Sequence, residues 1–571
     1  MERSRLSLGL AAVAVAFAAA DTYVVVLALP DMMAGVGLSI DQLQRAAPIV
    51  SGFLLGYVAV LPLIGRIADV RGRFPVLVGS LVVFAFGSLV TATAYDLPSM
   101  VVGRLLQGAG GGGLVPATLA LVADLYPPSR RGVPLGVVGA VQELGSVVGP
   151  LYGAVILTVS DWRAIFAVNV AVALGLGLLV SRVARRPREA RARVDPVATG
   201  LLVLALAALL LTMVRPVSLT SRLTVGLAFV PLWGAARWWA PLGLAAVVLV
   251  VLLLVRLRTE IARWAAVARS ADLPGAALLA LVLSGIVLAF ATADPQRSAF
   301  SAAGPWLLAA ATVCAAVFVV QQRRVGAPLL PRGALRAAPA WGAIVVSLFV
   351  GAALVAALVD IPIFARVSVY PDSQLDAALV LVRLLVALPV GALLGGRLIG
   401  RLPAGIVTAF GMGCAAVGLM WMSRWGLDTL RDPVATVPLL LAGLGFGLAV
   451  APVNAALLAA TDAAVHGVSS ALLVVARMVG MLVGISALTE LGLRHYYAAQ
   501  ATLPTPTEVC HARTQCAAYT RLLKEAGLTQ LHTVFVGAAV CAVVAGLVAV
   551  VAFRSARTRE VAPGEALWGA A

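Results

Sequence analysis

The residues of this chain that are able to do chemistry are a few charged side chains within long apolar stretches. They are Asp21, Arg104, Glu143, Asp360, Arg383, Arg477 and Glu490. Charged residues make up only 12% of the 571 residues, whereas hydrophobic residues make up 61%. Because an ionised side chain is costly inside a membrane, each of these residues is a candidate for a functional role. A carboxyl group in this setting can bind and release a proton during a reaction cycle.

The two acids that best fit a proton-coupling role are Asp21 and Glu143. Asp21 is the lone acid of the first apolar stretch. Its alternative role is a static ion pair with an interior arginine. Glu143 lies two residues before a helix face lined by glycines, which favours a position at a central cavity as a second proton or substrate site. The alternative for Glu143 is a polar contact between helices.

The remaining interior charges are candidate partners for these acids. We expect Arg104 and Arg477 to face the interior and to pair with the two carboxylates. Arg383 either lines a cavity or extends its guanidinium to the membrane surface. Asp360 is a further candidate interior charge, although it and Glu490 lie near helix ends, where water can solvate a carboxylate.

These side chains must be positioned by helices that cross a membrane, each of which needs about 20 apolar residues. Six such stretches come first, at 6–29, 45–64, 75–94, 98–122, 133–157 and 161–183. Six more come last, at 341–365, 376–395, 404–422, 433–456, 468–493 and 531–553. Four lie between them, at 197–216, 240–257, 272–292 and 304–320. The sequence therefore predicts an all-α integral membrane protein with 14 to 16 transmembrane helices.

Two sets of six helices predict two pseudo-repeated halves around a site near the middle of the membrane. The predicted N-terminal half covers 1–185, and the C-terminal half covers 339–571. A central linker at 186–338 carries the extra transmembrane helices. Within it, the tryptophan-rich residues 221–239 predict an interfacial segment rather than a span. The polar residues 494–530 predict an outer extension whose two ends are helical.

The distribution of arginine predicts the orientation of the chain. The net charge of +17 would indicate a nucleic-acid partner in a soluble protein, but here most basic residues fall in short loops between apolar stretches. The loops on one side carry Arg66, Arg71, Arg73, Arg130, Arg131, Arg185, Arg186, Arg323, Arg324 and Arg554. By the positive-inside rule these loops are cytoplasmic. We therefore predict a multi-pass protein of the cell membrane with both termini cytoplasmic and no nucleic-acid partner.

The loop between the second and third stretches has the sequence GRIADVRGR, which is defined by Gly65, Asp69, Gly72 and Arg73. A carboxylate such as Asp69 can accept hydrogen bonds from a helix N-terminus or pair with an arginine of a facing helix. Either contact would latch the cytoplasmic side in one conformational state. The alternative is a solvated loop charge.

A second motif lies in the fifth stretch, where Gly145, Gly149 and Gly153 recur every four residues. This spacing places them on one helix face, where missing side chains allow a neighbouring helix to approach closely. Pro150 adds a kink or hinge. The motif therefore predicts either plain helix packing or a specific role in antiport, and a tight, bendable contact would serve both.

Four segments resemble, in order, motifs of the fourteen-helix drug:proton antiporter group of the major facilitator superfamily. They are DTYVVVLALP from Asp21, the GRIADVRGR loop, GRLLQGAGGG from Gly103, and GSVVGPLYGA from Gly145. Within the group, QELGSVVGPLYG and VVARMVGMLVG are most similar to mycobacterial exporters of triacylglycerides that work with a periplasmic lipoprotein. The resemblance implies this fold, proton coupling, a lipid cargo and such a partner. In the second half only GGRLIGR at 395–401 is similar to the loop motif, and it lacks the aspartate.

No pattern in the sequence indicates an enzyme. GAGGGG at 108–113 lacks the Lys-Ser/Thr pair and the preceding strand of a phosphate-binding loop. The histidines, at 466, 495, 511 and 532, do not share a metal-ligand spacing. We therefore predict no catalytic residues, no cofactor and no metal site, and we expect an ion gradient to supply the energy.

Cys510 and Cys516 both lie in the predicted outer extension. An oxidising compartment permits a disulfide between them. Cys314, Cys414 and Cys541 lie in apolar stretches and are expected to be buried thiols.

These patterns predict a monomeric, proton-coupled exporter whose two halves rock around a central cavity and move an apolar or amphipathic cargo, such as a triacylglyceride-like lipid. A multidrug:proton antiporter is the first alternative, because it also needs an apolar cavity. An integral-membrane lipid-modifying enzyme or a scaffold is the alternative from another class. An enzyme should place a His, Ser or acidic cluster at one membrane face, and a scaffold would not need interior charges on several helices.

Overall fold

The regular structure of the chain consists of helices. The computed structural model describes residues 2–38, 43–184, 195–234, 236–258, 262, 272–291, 301–326, 328–329, 333, 335–371, 373–510, 516–556 and 558. Within this part, the sixteen long helices are α1 (Glu2–Gly35), α2 (Leu43–Arg71), α3 (Arg73–Ala92), α4 (Leu97–Leu125), α5 (Gly132–Val159), α6 (Trp162–Ala184), α7 (Pro196–Val214), α8 (Pro241–Arg256), α9 (Leu273–Ala291), α10 (Gly304–Arg324), α11 (Ala338–Val367), α12 (Gln374–Leu398), α13 (Ala404–Met422), α14 (Thr436–Ala459), α15 (His466–Ala501) and α16 (Ala517–Ala552). Each of the sixteen predicted apolar stretches coincides with one of these helices, so the predicted all-α membrane architecture is confirmed.

Length and hydropathy qualify most of these helices to cross a membrane. Among the described residues, thirteen helices meet both criteria. The described parts of α1 and α8 add two shorter apolar stretches, Leu6–Thr22 and Pro241–Arg256. The chain is thus a multi-pass membrane protein.

The first six and the last six long helices repeat one pattern of packing. In α1–α6, helix α1 contacts α5, α2 contacts α4, and α3 contacts both α4 and α6. In α11–α16, helix α11 contacts α15, α12 contacts α14, and α13 contacts both α14 and α16. Each set is centred on its own large cluster of buried apolar residues. The helices therefore form two pseudo-repeated six-helix halves. The exact chain positions of the division stay a prediction, because residues 185–194 and several from 327 to 334 lie outside the described part.

The most extensive contacts between the two halves are two helix crossings, α2 with α15 and α5 with α12, and the pairs α4–α15 and α5–α14 add smaller contacts. We call the end of the molecule that carries the Gly65–Arg73 loop the motif face. Helix α2 ends there, and α5 and α15 begin there. The opposite end is the far face.

Two additional hairpins pack against this twelve-helix core. Helices α9 and α10 pack on each other, and α9 lies against α2 and α15, one helix from each half. The carboxylate of Asp272 ties this hairpin together, because it accepts hydrogen bonds from the side chains of Gln321 and Gln322 and from the amide of Leu329, at 2.7, 2.5 and 3.1 Å. Helices α7 and α8 form the second hairpin. It contacts the core at the far face, where Thr93 at the end of α3 approaches the Met213 sulfur within 3.3 Å.

The chain between α7 and α8 does not span. It forms two four-residue helices and two 3-10 turns within Val217–Trp239. The side chains of Trp233 and Trp239 are exposed. The described part of this segment therefore contains no spanning helix, and its position at the membrane interface stays a prediction.

Helices α15 and α16 are the longest of the fold, with 36 residues each. At 1.5 Å per residue each is about 54 Å long, whereas the hydrocarbon core of a bilayer is about 30 Å thick. Helix α15 ends at Ala501 and α16 begins at Ala517, both within the polar residues 494–530. The predicted helical ends of the outer extension are therefore confirmed. The two helices form a projection at the far face.

Glycines set the closest helix contacts within each half. A methyl group added at Gly145 or Gly149 of α5 would overlap a backbone carbonyl oxygen of α1, and one at Gly153 would overlap the Val24 side chain. In the C-terminal half, a methyl group at Gly480 of α15 would overlap the carbonyl oxygen of Leu348 in α11. Pro150 belongs to α5, but its side chain lies outside the described part. The glycine motif therefore has a packing role that depends on the absence of side chains.

This packing predicts the effect of adding a side chain to the glycine face. Gly149→Val should destabilise the protein by about 1–3 kcal/mol, because the added atoms collide with the α1 backbone. Gly175→Val on α6 is the matched control, since nothing lies within 4 Å of a methyl group there. Thermal unfolding of the two purified variants in detergent provides the measurement. Equal melting temperatures for the two variants would contradict this account of the contact.

Candidate functional site

A largely apolar cavity lies between the two halves. It consists of two neighbouring chambers of about 620 and 610 Å³ that share the lining residues Val115, Gln142, Arg477 and Met478. The polar side chains of Ser347 and Asn454 on its wall are engaged with carbonyl oxygens, at 2.9 and 2.8 Å. The surface that a cargo would contact is therefore mainly aliphatic. The charged groups of the cavity wall lie together at a single position.

That position is occupied by an ion pair between Glu143 of α5 and Arg477 of α15, which links the N-terminal and C-terminal halves. Both residues line the cavity, and their side chains are only 8% and 17% exposed. Since each half contributes one charge, this pair forms only while the halves lie close together at this level. The expected pairing of Arg477 with one of the two acids is thus present, and the structure identifies Glu143 as its partner.

The pseudo-repeat explains why these two positions meet. Gly145 and Gly149 follow Gly132 by 13 and 17 residues, and Gly480 and Gly484 follow Gly467 by the same intervals. In this register Arg477 corresponds to Gln142, the neighbour of Glu143. Helices α5 and α15 are therefore equivalent elements of the two halves, and they place opposite charges at adjacent positions beside the pseudo-symmetry axis.

Asp21 lies in a different environment, inside the N-terminal half. Its carboxylate accepts hydrogen bonds from Arg104, Gln107 and Asn169, at 3.0, 2.9 and 2.5 Å. The Asp21 side chain has no exposed surface, and that of Arg104 is 1% exposed. Asp21 does not appear among the residues that line the two chambers, although its neighbour Thr22 does. The proposed partnership of Asp21 and Arg104 is thus present as a buried ion pair.

The network around Asp21 connects further helices of the same half. Arg104 donates to the carbonyl oxygen of Ile49 in α2 at 3.2 Å, and its guanidinium lies 4.5 Å from the centre of the Phe53 ring. Gln107 also donates to Ser88 of α3 at 3.0 Å. The sequence reasoning missed Ser88 and Asn169 as parts of the site. A signal was available, because both are polar residues within otherwise apolar stretches.

The loop motif joins the two halves at the motif face. The Asp69 carboxylate accepts hydrogen bonds from the backbone amides of Gly467 and Val468, at 2.8 and 3.1 Å. It therefore caps the N-terminus of α15, where amide groups lack partners within the helix. Arg73 donates to the same carboxylate at 2.5 Å and pairs with Asp124 at 3.2 Å. The predicted hydrogen bonding of Asp69 to a helix N-terminus is confirmed.

Glycines allow the backbones to touch at both crossings of the halves. A methyl group at Gly65 would lie 2.5 Å from the carbonyl oxygen of Gly467, and one at Gly132 would lie 2.5 Å from that of Gly396. Gly72 has a φ of 95°, a conformation that suits glycine at the turn between α2 and α3. The two crossings close the molecule at the motif face.

Two further candidate interior charges, Arg383 and Asp360, lie in helices α12 and α11 of the C-terminal half. Arg383 donates to the hydroxyl of Thr436 at 2.9 Å, and neither it nor Asp360 forms an ion pair with any described residue. The expectation that water solvates Asp360 is wrong, since this residue is 2% exposed. The reason is that α11 continues past it for two turns, and Phe364 packs 5.1 Å from the ring of Trp425. Glu490 pairs with Arg494 on the surface of α15.

The projection of α15 and α16 contains a groove of about 1150 Å³. It begins at Ile363 and Val367, at the far end of α11, and continues along Tyr496 and Tyr497 of α15 and Leu523 of α16. Cys510 and Cys516 lie at the tip with their Cα atoms 5.7 Å apart, joined as a disulfide. Residues 511–515 between them lie outside the described part.

Comparison with known proteins agrees with this architecture. Residues 11–255 match the profile of the Major Facilitator Superfamily. The triacylglyceride transporter of Mycolicibacterium hassiacum is 35% identical over 494 residues, which cover 85% of this chain and 78% of that protein. The triacylglyceride transporter of Mycolicibacterium smegmatis is 34% identical over 510 residues, which cover 87% and 77%.

Solved structures match at the level of the fold. The proton:xylose symporter XylE aligns with a TM-score of 0.54 at 14% identity, covering 96% of this chain and 95% of that one. FucP in its outward conformation aligns with a TM-score of 0.51 at 13% identity, covering 96% and 98%. With two pseudo-repeated six-helix halves and relatives similar over most of its length, the chain belongs to the major facilitator superfamily of membrane transporters.

Proposed function

We propose that this protein exports an apolar lipid, of the triacylglyceride class, in exchange for protons. The observation that carries the proposal is the Glu143–Arg477 ion pair, which joins the two halves inside an apolar cavity. The names of the relatives support the cargo class, and so does the cavity wall, which is largely apolar and whose Thr22, Ser347 and Asn454 side chains donate to backbone carbonyl oxygens. A largely apolar wall suits a lipid better than a sugar or an ion.

The proton enters the proposed cycle at Glu143. An ionised Glu143 attracts Arg477 and holds the halves together beside the cavity. Protonation removes the negative charge, so the pair loses its attraction and the halves can separate at this level. Release of the proton restores the pair. The direction of the proton gradient then sets the direction of the conformational cycle.

Orientation follows from the arginine-rich loops at the motif face, which we assign to the cytoplasm. The far face is then extracytoplasmic, and the described conformation is closed toward the cytoplasm. The groove between α15 and α16 continues outward from α11, with aliphatic and tyrosine side chains along it. We propose that cargo leaves along this groove and passes to an extracytoplasmic lipoprotein, and that the transporter acts as a monomer.

The first test concerns coupling. Glu143→Gln should abolish lipid flux driven by a pH gradient, with a decrease of at least about tenfold, because a neutral amide cannot carry the proton. The measurement is export of labelled triacylglyceride and of a cationic dye from the same proteoliposomes, with and without a pH gradient. Glu490→Gln, which removes a half-buried acid of α15 that pairs with Arg494 outside the cavity, is the matched control. Full gradient-dependent lipid flux by Glu143→Gln would refute the proposed role, and dye flux without lipid flux in the unaltered protein would favour multidrug transport.

Asp21→Asn forms the second arm of that experiment, since Asp21 remains a candidate for coupling. This change leaves Arg104 buried without a carboxylate, and breaking a buried pair costs about 3–5 kcal/mol. We therefore expect Asp21→Asn to lower the melting temperature more than Glu143→Gln does, because Arg104 is almost fully buried whereas Arg477 borders the cavity and is partly exposed. Melting curves separate a loss of coupling from a loss of stability.

The second test concerns the latch at the motif face. Asp69→Asn removes the charge that caps α15 and pairs with Arg73, and should shift the population toward the state open at this face by about 1–3 kcal/mol. The readout is labelling of Val450→Cys, on the cavity wall, by an impermeant thiol reagent added from the motif face to a protein in which Cys314, Cys414 and Cys541 are alanine. Faster labelling is the expected result. Asp428→Asn, in an exposed loop, is the control, and equal labelling in both variants would count against the latch.

The third test concerns the projection. Replacing residues 498–520 with a short glycine–serine linker should abolish lipid export and leave the melting temperature nearly unchanged, since most of the described side chains in this segment are exposed. Mass spectrometry of the unreduced protein should find Cys510 linked to Cys516. A double variant with Cys510→Ser and Cys516→Ser tests whether this disulfide is needed for export. Normal export of triacylglyceride by the shortened protein would exclude a role for the removed part of the projection, which contributes Gln500 and Thr520 to the groove.

A further inference from the structure

The inserted hairpin α7–α8 creates a second, lateral pocket on the N-terminal half. The pocket has a volume of about 710 Å³ and opens between α3, α4 and α7 near the far face. Its wall is apolar and includes Phe86, Val90, Val102, Leu106, Leu209 and Met213. It lies outside the central cavity, and the transport cycle proposed above does not use it.

The dimensions of this pocket match one leaflet of a bilayer. Its mouth is at Tyr95 and Asp96, where α3 gives way to α4, and its inner end is at Phe86 and Leu106. Leu106 follows Asp96 by ten residues, which is about 15 Å along a helix. This distance is about half of the 30 Å hydrocarbon core. Tyr95 and Trp238 are the kind of residue found at the level of the lipid headgroups.

Two arginines, Arg215 and Arg237, lie beside the mouth of the pocket, next to the lining residues Met213 and Tyr95. The guanidinium of Arg237 lies 3.8 Å from the centre of the Tyr95 ring, and it donates to the carbonyl oxygen of Met213 at 2.5 Å. Arg215 ends α7 in a left-handed conformation, with a φ of 47°. Its Nε and Nη2 atoms are buried and have no hydrogen-bond partner among the described residues. Buried donors of a charged group are seldom left without a partner.

The charge at the mouth favours an anion. Burial lowers the pKa of Arg237, and the nearby positive charge of Arg215 lowers it further. The one acid that lines the pocket, Asp96, already caps α4 by accepting a hydrogen bond from the Ser99 amide at 2.9 Å. The mouth therefore holds two guanidinium groups and only one nearby carboxylate, which already caps a helix. A phosphate group would satisfy the free donors of Arg215, and arginine binds phosphate through paired hydrogen bonds.

We propose that this pocket is a binding site for one anionic phospholipid of the bilayer. Its phosphate lies against Arg215 and Arg237, and one acyl chain fills the groove between α3, α4 and α7. The lipid binds from the side, as a component of the membrane, and is distinct from the transported cargo.

The experiment measures binding of phosphatidylglycerol, phosphatidylcholine and inorganic phosphate to the purified full-length protein by native mass spectrometry. We expect phosphatidylglycerol to bind best, and the double variant of Arg215→Gln and Arg237→Gln to weaken its binding at least about tenfold, since hydrogen bonds to charged groups are lost. Arg222→Gln, an exposed arginine of the same connection, is the matched control and should bind normally.

A second variant leaves the charges in place. Val102→Trp should fill the groove and weaken phosphatidylglycerol binding to a similar extent, whereas Leu174→Trp on the exposed face of α6 should not. Undiminished phosphatidylglycerol binding by the arginine double variant or by Val102→Trp would overturn the proposal. Equal binding of phosphatidylcholine would show a merely apolar groove, and equal binding of inorganic phosphate would show a free anion site. Either result would also overturn it.

Discussion

The high cost of keeping a charge away from water governs the arrangement of this protein. Asp21 and Glu143 are both buried acids paired with an arginine, but their partners differ in origin. The donors to Asp21 come from α4 and α6 of its own half, so its charge is compensated whatever the other half does. Arg477, the partner of Glu143, comes from the other half. An acid–arginine ion pair therefore has two different roles. At Asp21 it stabilises one half of the protein, whereas at Glu143 it depends on how the two halves are arranged.

Close backbone contact makes both arrangements possible. Glycines bring α5 onto α1 and α15 onto α11, and these two helix pairs are equivalent under the pseudo-repeat. The crossings between the halves follow the same repeat but are not identical. At one crossing Asp69 caps the N-terminus of α15, whereas Gly400 occupies the corresponding place in GGRLIGR and has no side chain to cap α5. The closure at the motif face is thus held by polar contacts more firmly at the α2–α15 crossing.

The two inserted hairpins relate differently to this closure. The α9–α10 hairpin rests on α2 and α15, and so covers a crossing between the two halves. Any rocking of the halves must change its contacts with at least one of them. The α7–α8 hairpin contacts the N-terminal half through Met213 and Arg237. It can therefore move with that half as a unit, which suits a site for a resident membrane lipid.

The sequence by itself determined the elements. Apolar stretches of about 20 residues are long enough to specify helices in a membrane without reference to their neighbours. All sixteen helices and the helical ends of the projection could be predicted for this reason. Local motifs also determined some contacts: the glycine spacing in α5 predicts close packing, and an aspartate in a short loop predicts capping of a helix N-terminus.

Tertiary structure alone decided which interior charges meet. An apolar helix reveals the positions of its charges but not which neighbour they face, because the direction of each face depends on packing between helices distant in sequence. Asp21 and Arg104 are 83 residues apart, and Glu143 and Arg477 are 334 apart. The burial of Asp360 could not be foreseen either, because it depends on Trp425 packing over the end of α11. The groove at the far face and the lateral pocket arise in the same way, from surfaces that only the folded helices bring together.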